Sequence, residues 1–354
     1  MCLKPSKLGW PVLALMLAVG NLGCHDGADS SAEPSPDHPT GDYVGQAPPG
    51  AEPRLFAPDF VSTGLYERDV AMTPAGDELY FGLLGSGYAA VAVTKRVDEV
   101  WTPPELAAFS RDPNVRDLEA HITPDGARLL FLSTRPGEGK DYAPGWTNQD
   151  IWAVDRVADG WGEPYNLGPP VNSDAPEFFP STTRDGTLYF TREVDQDGRH
   201  RSLVYRARFE DGRYLEPECL PEAVNAGDEQ FNACVDPDER FLVFGMTGRV
   251  DAIGRADYYV TFRSEGDTWI GPINLGEPVN TPDNTVVSPS FSPDGRYFFF
   301  ASTRKIRADG GSPTRSYQEI QRMQAHPGNG NSDIYWIDAA VIEALRPAPT
   351  MEAR

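Results

Sequence analysis

Histidine and cysteine are scarce in this 354-residue chain, with 5 and 4 copies. No paired-His zinc motif, Gly-x-Ser-x-Gly elbow or phosphate loop is present, which leaves zinc catalysis, Ser/His hydrolysis and phosphate-loop chemistry without support. Positive charge is also short: 31 Lys and Arg stand against 53 Asp and Glu, for a net charge of −22. Such a chain repels nucleic acid and anionic lipid headgroups, and no basic stripe argues otherwise. The apolar run from Trp10 to Val19 has signal-peptide length and is too short to span a membrane. What is abundant is turn-forming residue, 34 Gly and 33 Pro. That fits many short strands joined by turns.

The first residues read as an export address. Lys4 and Lys7 precede the apolar run, and residues 1–23 are assigned as a signal peptide. Asn21-Leu22-Gly23-Cys24 resembles the lipobox of bacterial lipoproteins, which implies lipidation of Cys24 after cleavage. His25 follows that cysteine where an Asp would resemble an inner-membrane retention signal, so the outer membrane is the expected address. Residues 24–53 are rich in Asp, Ser, Pro and Gly and read as a flexible tether.

From residue 54 onward one pattern recurs. Thr73-Pro74-Ala75-Gly76, Thr123-Pro124-Asp125-Gly126, Arg184-Asp185-Gly186, Asp236-Pro237-Asp238-Glu239 and Ser292-Pro293-Asp294-Gly295 are each followed by an apolar strand. Copies spaced by about fifty to sixty residues mark a radial repeat. Each repeat divides into four strands, a to d. Trp161 and Trp269 open strand d and suit packing between neighbouring sheets. The last repeat reaches strand c at Asp333–Ile337 and then turns helical, while Glu52-Pro53-Arg54-Leu55 matches the strand d segments. The expected fold is therefore all-β: a five-bladed β-propeller over 54–338, closed by an N-terminal strand that completes the last blade, with a short helix and tail over 339–354. Cys219 falls in an outer strand and Cys234 in an innermost one, beyond the ~7 Å Cα separation that a disulfide tolerates.

The Pro-Asp-Gly turns, the Ser-Thr-Arg ends of strand b, the Asp-Ile-Trp/Tyr starts of strand c and the Val-Asn connectors resemble the WD40-like β-propeller repeats of TolB and many bacterial lipoproteins. The resemblance implies the fold and a place in the envelope, as an interaction module for a protein, peptide or glycan. It says little of activity, because the repeat serves many.

The d-to-a and b-to-c connections share one face, where a ligand is expected, and the long loops Pro136–Gln149 and Lys305–Ser332 lie there. Aligning the repeats brings Glu67, Asp117, Glu177, Gln230 and Val286 to one level of the channel. Asp69, Glu119, Phe179, Asn232 and Ser288 share a second level, and Ala71, His121, Ser181, Cys234 and Ser290 a third. Glu67, Asp69, Asp117, Glu119 and His121 are then expected at one side of the mouth, with Asn232 among the ligand-binding candidates. Five-bladed arabinanase-type glycosidases place inward carboxylates from three blades, and on that model Asp69, Glu119 and Glu177, with His121, are the catalytic candidates. Two of these carboxylates within ~5–10 Å across a pocket would suit glycoside hydrolysis, and the same acids with His121 as an added ligand would alternatively suit a metal ion such as Ca2+. Against this stands the bland reading, loop acids of a very acidic chain. Arg135, Arg304 and Arg249 are expected to clasp Asp150, Asp333 and Asp257 across their loops. Arg192 has no such Asp and is a candidate for binding an anion. Asp195-Gln196-Asp197-Gly198 and Asn329-Gly330-Asn331-Ser332-Asp333 show the alternating oxygens of calcium loops but lack the later Glu, so turn chemistry explains them and no cofactor is expected. The expectation is a monomer that meets membrane only through its lipid, with no enzymatic set complete.

Overall fold

Each Thr-Pro-x-Gly or Ser-Pro-x-Gly corner folds back on itself in the same way. Thr123 Oγ1 donates to Asp125 Oδ1 at 2.6 Å and Ser292 Oγ to Asp294 Oδ1 at 2.6 Å. Gly76, Gly126, Gly186 and Gly295 take φ of 68°, 71°, 87° and 71°, and Glu239 adopts 56° at the same point of the fourth repeat. The computed structural model describes residues 38–158, 160–196, 198–282, 286–305 and 316–348. The assigned signal peptide, Cys24, Asp197, part of the last long loop and the C-terminal tail lie outside the described residues.

The strands between these corners form five antiparallel blades. The first has Glu67–Met72, Glu78–Leu84 and Ala89–Val97, with an outer edge split into Val100–Trp101 and Glu105–Leu106. The second runs Asp117–Ile122, Arg128–Ser133 and Asp150–Val157, edged by Gly160–Trp161 and Tyr165–Asn166. The third is Glu177–Thr182, Leu188–Gln196, Arg199–Ala207 and Glu218–Cys219. The fourth is Gln230–Val235, Phe241–Met246, Asp257–Ser264 and Thr268–Asn274. In the fifth, Val286–Phe291, Tyr297–Ser302 and Asp333–Asp338 are completed by Arg54–Leu55, in register Arg54 to Trp336 and Leu55 to Tyr335. The N-terminal strand thus closes the ring, which removes an open sheet edge.

Apolar side chains alternate between the two faces of each strand and fill the gaps between blades. Ile334 and Trp336 join the cluster against the first blade, while Tyr335 and Ile337 join the one against the fourth. The tryptophans of strand d do pack across blades. Trp161 donates from Nε1 to Tyr80 Oη at 2.7 Å, and Trp269 meets the Tyr189 ring edge-on at 6.4 Å.

The tether assignment fails for its second half. Tyr43 meets the Tyr297 ring edge-on at 5.0 Å and lies tilted against Trp336 at 5.5 Å, and Val44 is buried in the same cluster. Trp101 Nε1 donates to Gly41 O at 2.7 Å, and Asp338 N to Gly50 O at 3.1 Å. Two aromatic or branched side chains within a polar stretch suffice to pin residues 38–53 as a strap.

Candidate functional site

The channel is lined by the innermost strand of each blade, and every one of these strands breaks register at the same place. Asp69, Glu119, Phe179, Asn232 and Ser288 occupy the break with φ of 59°, 62°, 53°, 56° and 65°. Asp and Asn tolerate this left-handed region, and a β-bulge supplies the reason for it. The bulge residues are tied to neighbouring blades around the channel, most of them to one another and Asn232 to strand b of the third blade. Glu119 N donates to Asp69 Oδ2 at 3.2 Å, Phe179 N to Glu119 Oε2 at 2.8 Å, and Asn232 N to Thr191 Oγ1 at 3.1 Å. Ser288 Oγ donates to Asp69 Oδ1, closing the belt from the fifth blade to the first.

Arg68 sits inside this belt. Its Nε donates to both Asp69 oxygens at 2.9 and 2.8 Å, and its Nη2 to Glu119 Oε1 at 2.7 Å. With the Asn232 amide turned so that its oxygen faces donors, that oxygen accepts from Arg68 Nη2 at 3.1 Å and from Ser288 N at 3.2 Å. Burial works against the charge of Arg68, but Asp69 and Glu119 hold its pKa well above the ordinary value. Burial pushes the Glu119 carboxyl up, with Arg68 opposing and Asp69 adding to the rise. Sequence reasoning missed Arg68, although a signal was there. The residue before the bulge is Leu118, Phe178, Phe231 and Val287 in the other blades, so Arg68 is the one charge at an apolar position.

The level above holds Glu67, Asp117, Glu177 and Gln230, all buried. Here the expected clasps are corrected. Arg135 pairs with Asp117 of its own innermost strand, not with Asp150, and also donates to Phe109 O. Arg304 reaches Val279 O at 2.7 Å and Ser302 Oγ at 2.9 Å, not Asp333. Arg249 pairs with Asp251 at 3.1 Å, not with Asp257. Arg192 is not free either: it donates to Glu177 Oε1 at 2.8 Å and Val171 O at 2.9 Å, so its candidacy as an anion site ends. The strand c acids instead fasten loops. Asp150 accepts from Asn166 Nδ2 at 2.7 Å, Asp257 from Asn274 Nδ2 at 2.9 Å, and Asp333 from Gly328 N at 2.8 Å. For Arg135 and Arg192 the clasp joins strand b to strand a and its incoming loop, because the side chain points back over the sheet, whereas Arg249 stays within its own b-to-c loop. Among the described residues Glu67 has no arginine partner. Thr63 Oγ1 donates to its Oε1, Oε2 has no partner, and burial raises its pKa to about 7.

His121 does not join these acids. Its strand runs from the acid levels toward the strand a-to-b corners, and His121 lines a cavity at that far end of the channel. Its Nε2 lies 3.0 Å from Thr182 N and 2.9 Å from Thr182 Oγ1, and burial lowers its pKa to about 4. The calcium-like loop at 329–333 turns its amides outward as donors, Asn329 Nδ2 and Asn331 Nδ2 both to Gly64 O at 3.0 Å. Among the described residues no three His, Cys, Asp or Glu side chains converge on a common point. Cys219 and Cys234 are free thiols.

Glycoside hydrolysis needs two carboxyls flanking a bond, with room for sugar and water. Asp69 and Glu119 are close enough to share a guanidinium, but that guanidinium occupies the space between them. Glu177 is closed off by Arg192 and Ser173.

No family model matches the chain, and no curated protein matches it. Solved structures do. TolB from Acinetobacter baumannii is 16% identical with a TM-score of 0.43, over 77% of this chain and 54% of that one, so the chain spans about half of its length. A putative TolB from Agrobacterium tumefaciens is 16% identical with a TM-score of 0.44, over 77% and 90% of the two chains. An endo-arabinanase from Bacillus licheniformis is 11% identical with a TM-score of 0.43, over 77% and 93%. The chain is a five-bladed propeller on its own strand pairing.

Proposed function

We propose that this protein is a non-catalytic envelope lipoprotein, held at the outer membrane through Cys24, whose loop-bearing face binds a partner protein. One observation carries the reading: the carboxylates that hydrolysis would require are tied into the belt and clasps that hold the blades together. The surface supports it. Leu65, Tyr88, Tyr142, Trp146, Tyr317, Ile320 and Met323 are exposed large apolar residues, and all belong to connections on that one face. Three of them project from the helix Tyr317–Ala325, which a capping box holds in place: Ser316 Oγ accepts from Glu319 N, and Glu319 Oε2 from Ser316 N. Among the described residues no helix is long and apolar enough to cross a membrane.

The test has two arms. Photo-crosslinkers at Tyr142, Trp146 or Ile320 of the native lipoprotein should give one discrete adduct in intact envelopes, lost with the Ile320→Asp variant. A panel of plant and bacterial glycans should yield no reducing ends. Turnover that disappears in Glu119→Gln would overturn the reading. The anchor is checked by labelling with a fatty acid, which Cys24→Ser should abolish.

A further inference from the structure

The corners between strands a and b all lie at one end of the channel, opposite the long loops. Four of them place a proline there, Pro74, Pro124, Pro237 and Pro293, and the third blade has Arg184 instead. These side chains form a collar around a cavity of about 100 Å³. The wall behind the collar includes Val70, Ile122 and Val235, and the polar atoms there are few. His121 offers its Nδ1, since Nε2 accepts from Thr182 N and burial keeps the ring neutral. Ser290 Oγ is buried without a partner. Toward the fourth and fifth blades the collar opens, past Pro237 and Pro293, into a groove of about 670 Å³. Phe241, Tyr297 and the strap residues Pro48 and Pro49 wall it, and among its lining side chains three arginines, Arg184 with them, stand beside five carboxylates.

We propose that this end of the propeller binds the carboxy-terminal end of a polypeptide, distinct from the partner surface on the loop face. The last side chain, aliphatic, enters the collar; the terminal carboxylate meets Arg184; the preceding residues run out along the groove. Three features select that ligand. The collar pocket is too small for a drug-sized molecule but suits one branched side chain, whereas the groove has the volume of an ordinary ligand cleft. Among the described residues Arg184 is the only cationic side chain on the collar, so an acid is wanted next to an apolar group. Its present partner, Asp238 at 2.8 Å, is an exposed pair with side chains 60% and 53% accessible. Such a pair contributes little and exchanges readily for a better carboxylate. Aromatic and proline walls then suit an extended chain.

The experiment uses arrayed hexapeptides covering every C-terminal residue, each as the free acid and as the amide, followed by fluorescence anisotropy of the best sequence. The expected result is retention of free acids ending in Leu, Ile or Val, with at least a tenfold loss on amidation and a similar loss in Arg184→Gln. Circular dichroism should show the variant folded as wild type. Leu106→Asp, on the exposed outer edge of the first blade, should leave the affinity unchanged. Equal binding of acid and amide, no C-terminal preference, or an unchanged affinity in Arg184→Gln would each overturn the proposal. So would equal affinity for N-acetyl-leucine, which would make the ligand a small acid and leave the groove unused.

Discussion

Arg68 of the first blade donates to Glu119 of the second at 2.7 Å while its Nε holds Asp69, so one guanidinium anchors the bulges of neighbouring blades inside the channel. Removing it leaves two buried carboxylates without a counter-charge. Arg68→Ala should lower stability by about 3–5 kcal/mol, the range for breaking a buried ion pair from one side. Thermal unfolding measures this. The triple variant with Asp69→Asn and Glu119→Gln should recover much of the loss, because no charge is then stranded. A hard cation offers a second rescue: the oxygens of Asp69, Glu119 and Asn232 that face Arg68 suit calcium. Millimolar calcium should raise the melting temperature of Arg68→Ala and leave wild type unmoved. If the single and triple variants melt together, the guanidinium is not what balances the belt.

Glu67 occupies the level at which Asp117 and Glu177 have their arginines, and among the described residues it has none. Burial raises its pKa from 4.5 to about 7, with the Thr63 bonds opposing and the charge of Asp333 adding. The folded state therefore holds this proton more tightly than the unfolded chain does. The stability it contributes is complete below its ordinary value and fades as pH rises through about 7. Glu67→Gln should match wild type at pH 5 and exceed it at pH 8 by on the order of 3 kcal/mol. Urea midpoints at the two pH values decide the matter. An equal gap at both would mean that Glu67 acts by packing and not by charge.

The Val-Asn connectors make a different kind of contribution. Asn172 Oδ1 accepts from Ile151 N at 2.9 Å and its Nδ2 donates to Ile151 O at 2.8 Å; Asn280 does the same with Tyr258 at 2.8 and 3.0 Å. Each amide stands in for the neighbouring strand at the start of strand c. Asn172→Ala leaves a buried N–H and C=O unpaired and should cost about 2–4 kcal/mol. Asn172→Asp should cost at least as much, since it trades a donor for a buried charge. Denaturant unfolding reports both; a loss under about 0.5 kcal/mol would mean that water replaces the amide.

These connectors show how the sequence could be read and where reading stopped. The corners, the strand d tryptophans and the closing strand at Arg54 were legible because local turn chemistry and apolar alternation repeat at each blade. The partners of the polar residues were not. Arg135 has Asp150 and Asp117 within similar reach on a strand diagram, and only the direction of its side chain over the sheet selects Asp117. Alignment of the repeats sets His121 at a channel-facing position in the same blade as Glu119, yet the bulge and the strand direction carry it to the other end of the channel. Arg68 went unnoticed because alignment weighs what repeats, and a central residue on the axis needs only one copy.

Tyr43 tests whether the strap is part of the fold. Its ring packs against Tyr297 and Trp336, and its hydroxyl, raised to about 12 by burial, lies 3.3 Å from Asp294. The strap crosses the blade that the N-terminal strand closes, so it should brace the ring at its only non-covalent seam. Tyr43→Ala removes an aromatic contact that is half-buried and should lower stability by about 2–3 kcal/mol, below the range for a fully buried aromatic. The effect should be local. Hydrogen exchange should quicken in Arg54–Leu55 and Asp333–Asp338, which the strap covers, and stay unchanged in Gln230–Val235 across the ring. Protection lost evenly over all five blades would show instead that the strap stabilises the propeller as a whole and that the seam is no weaker than the other blades.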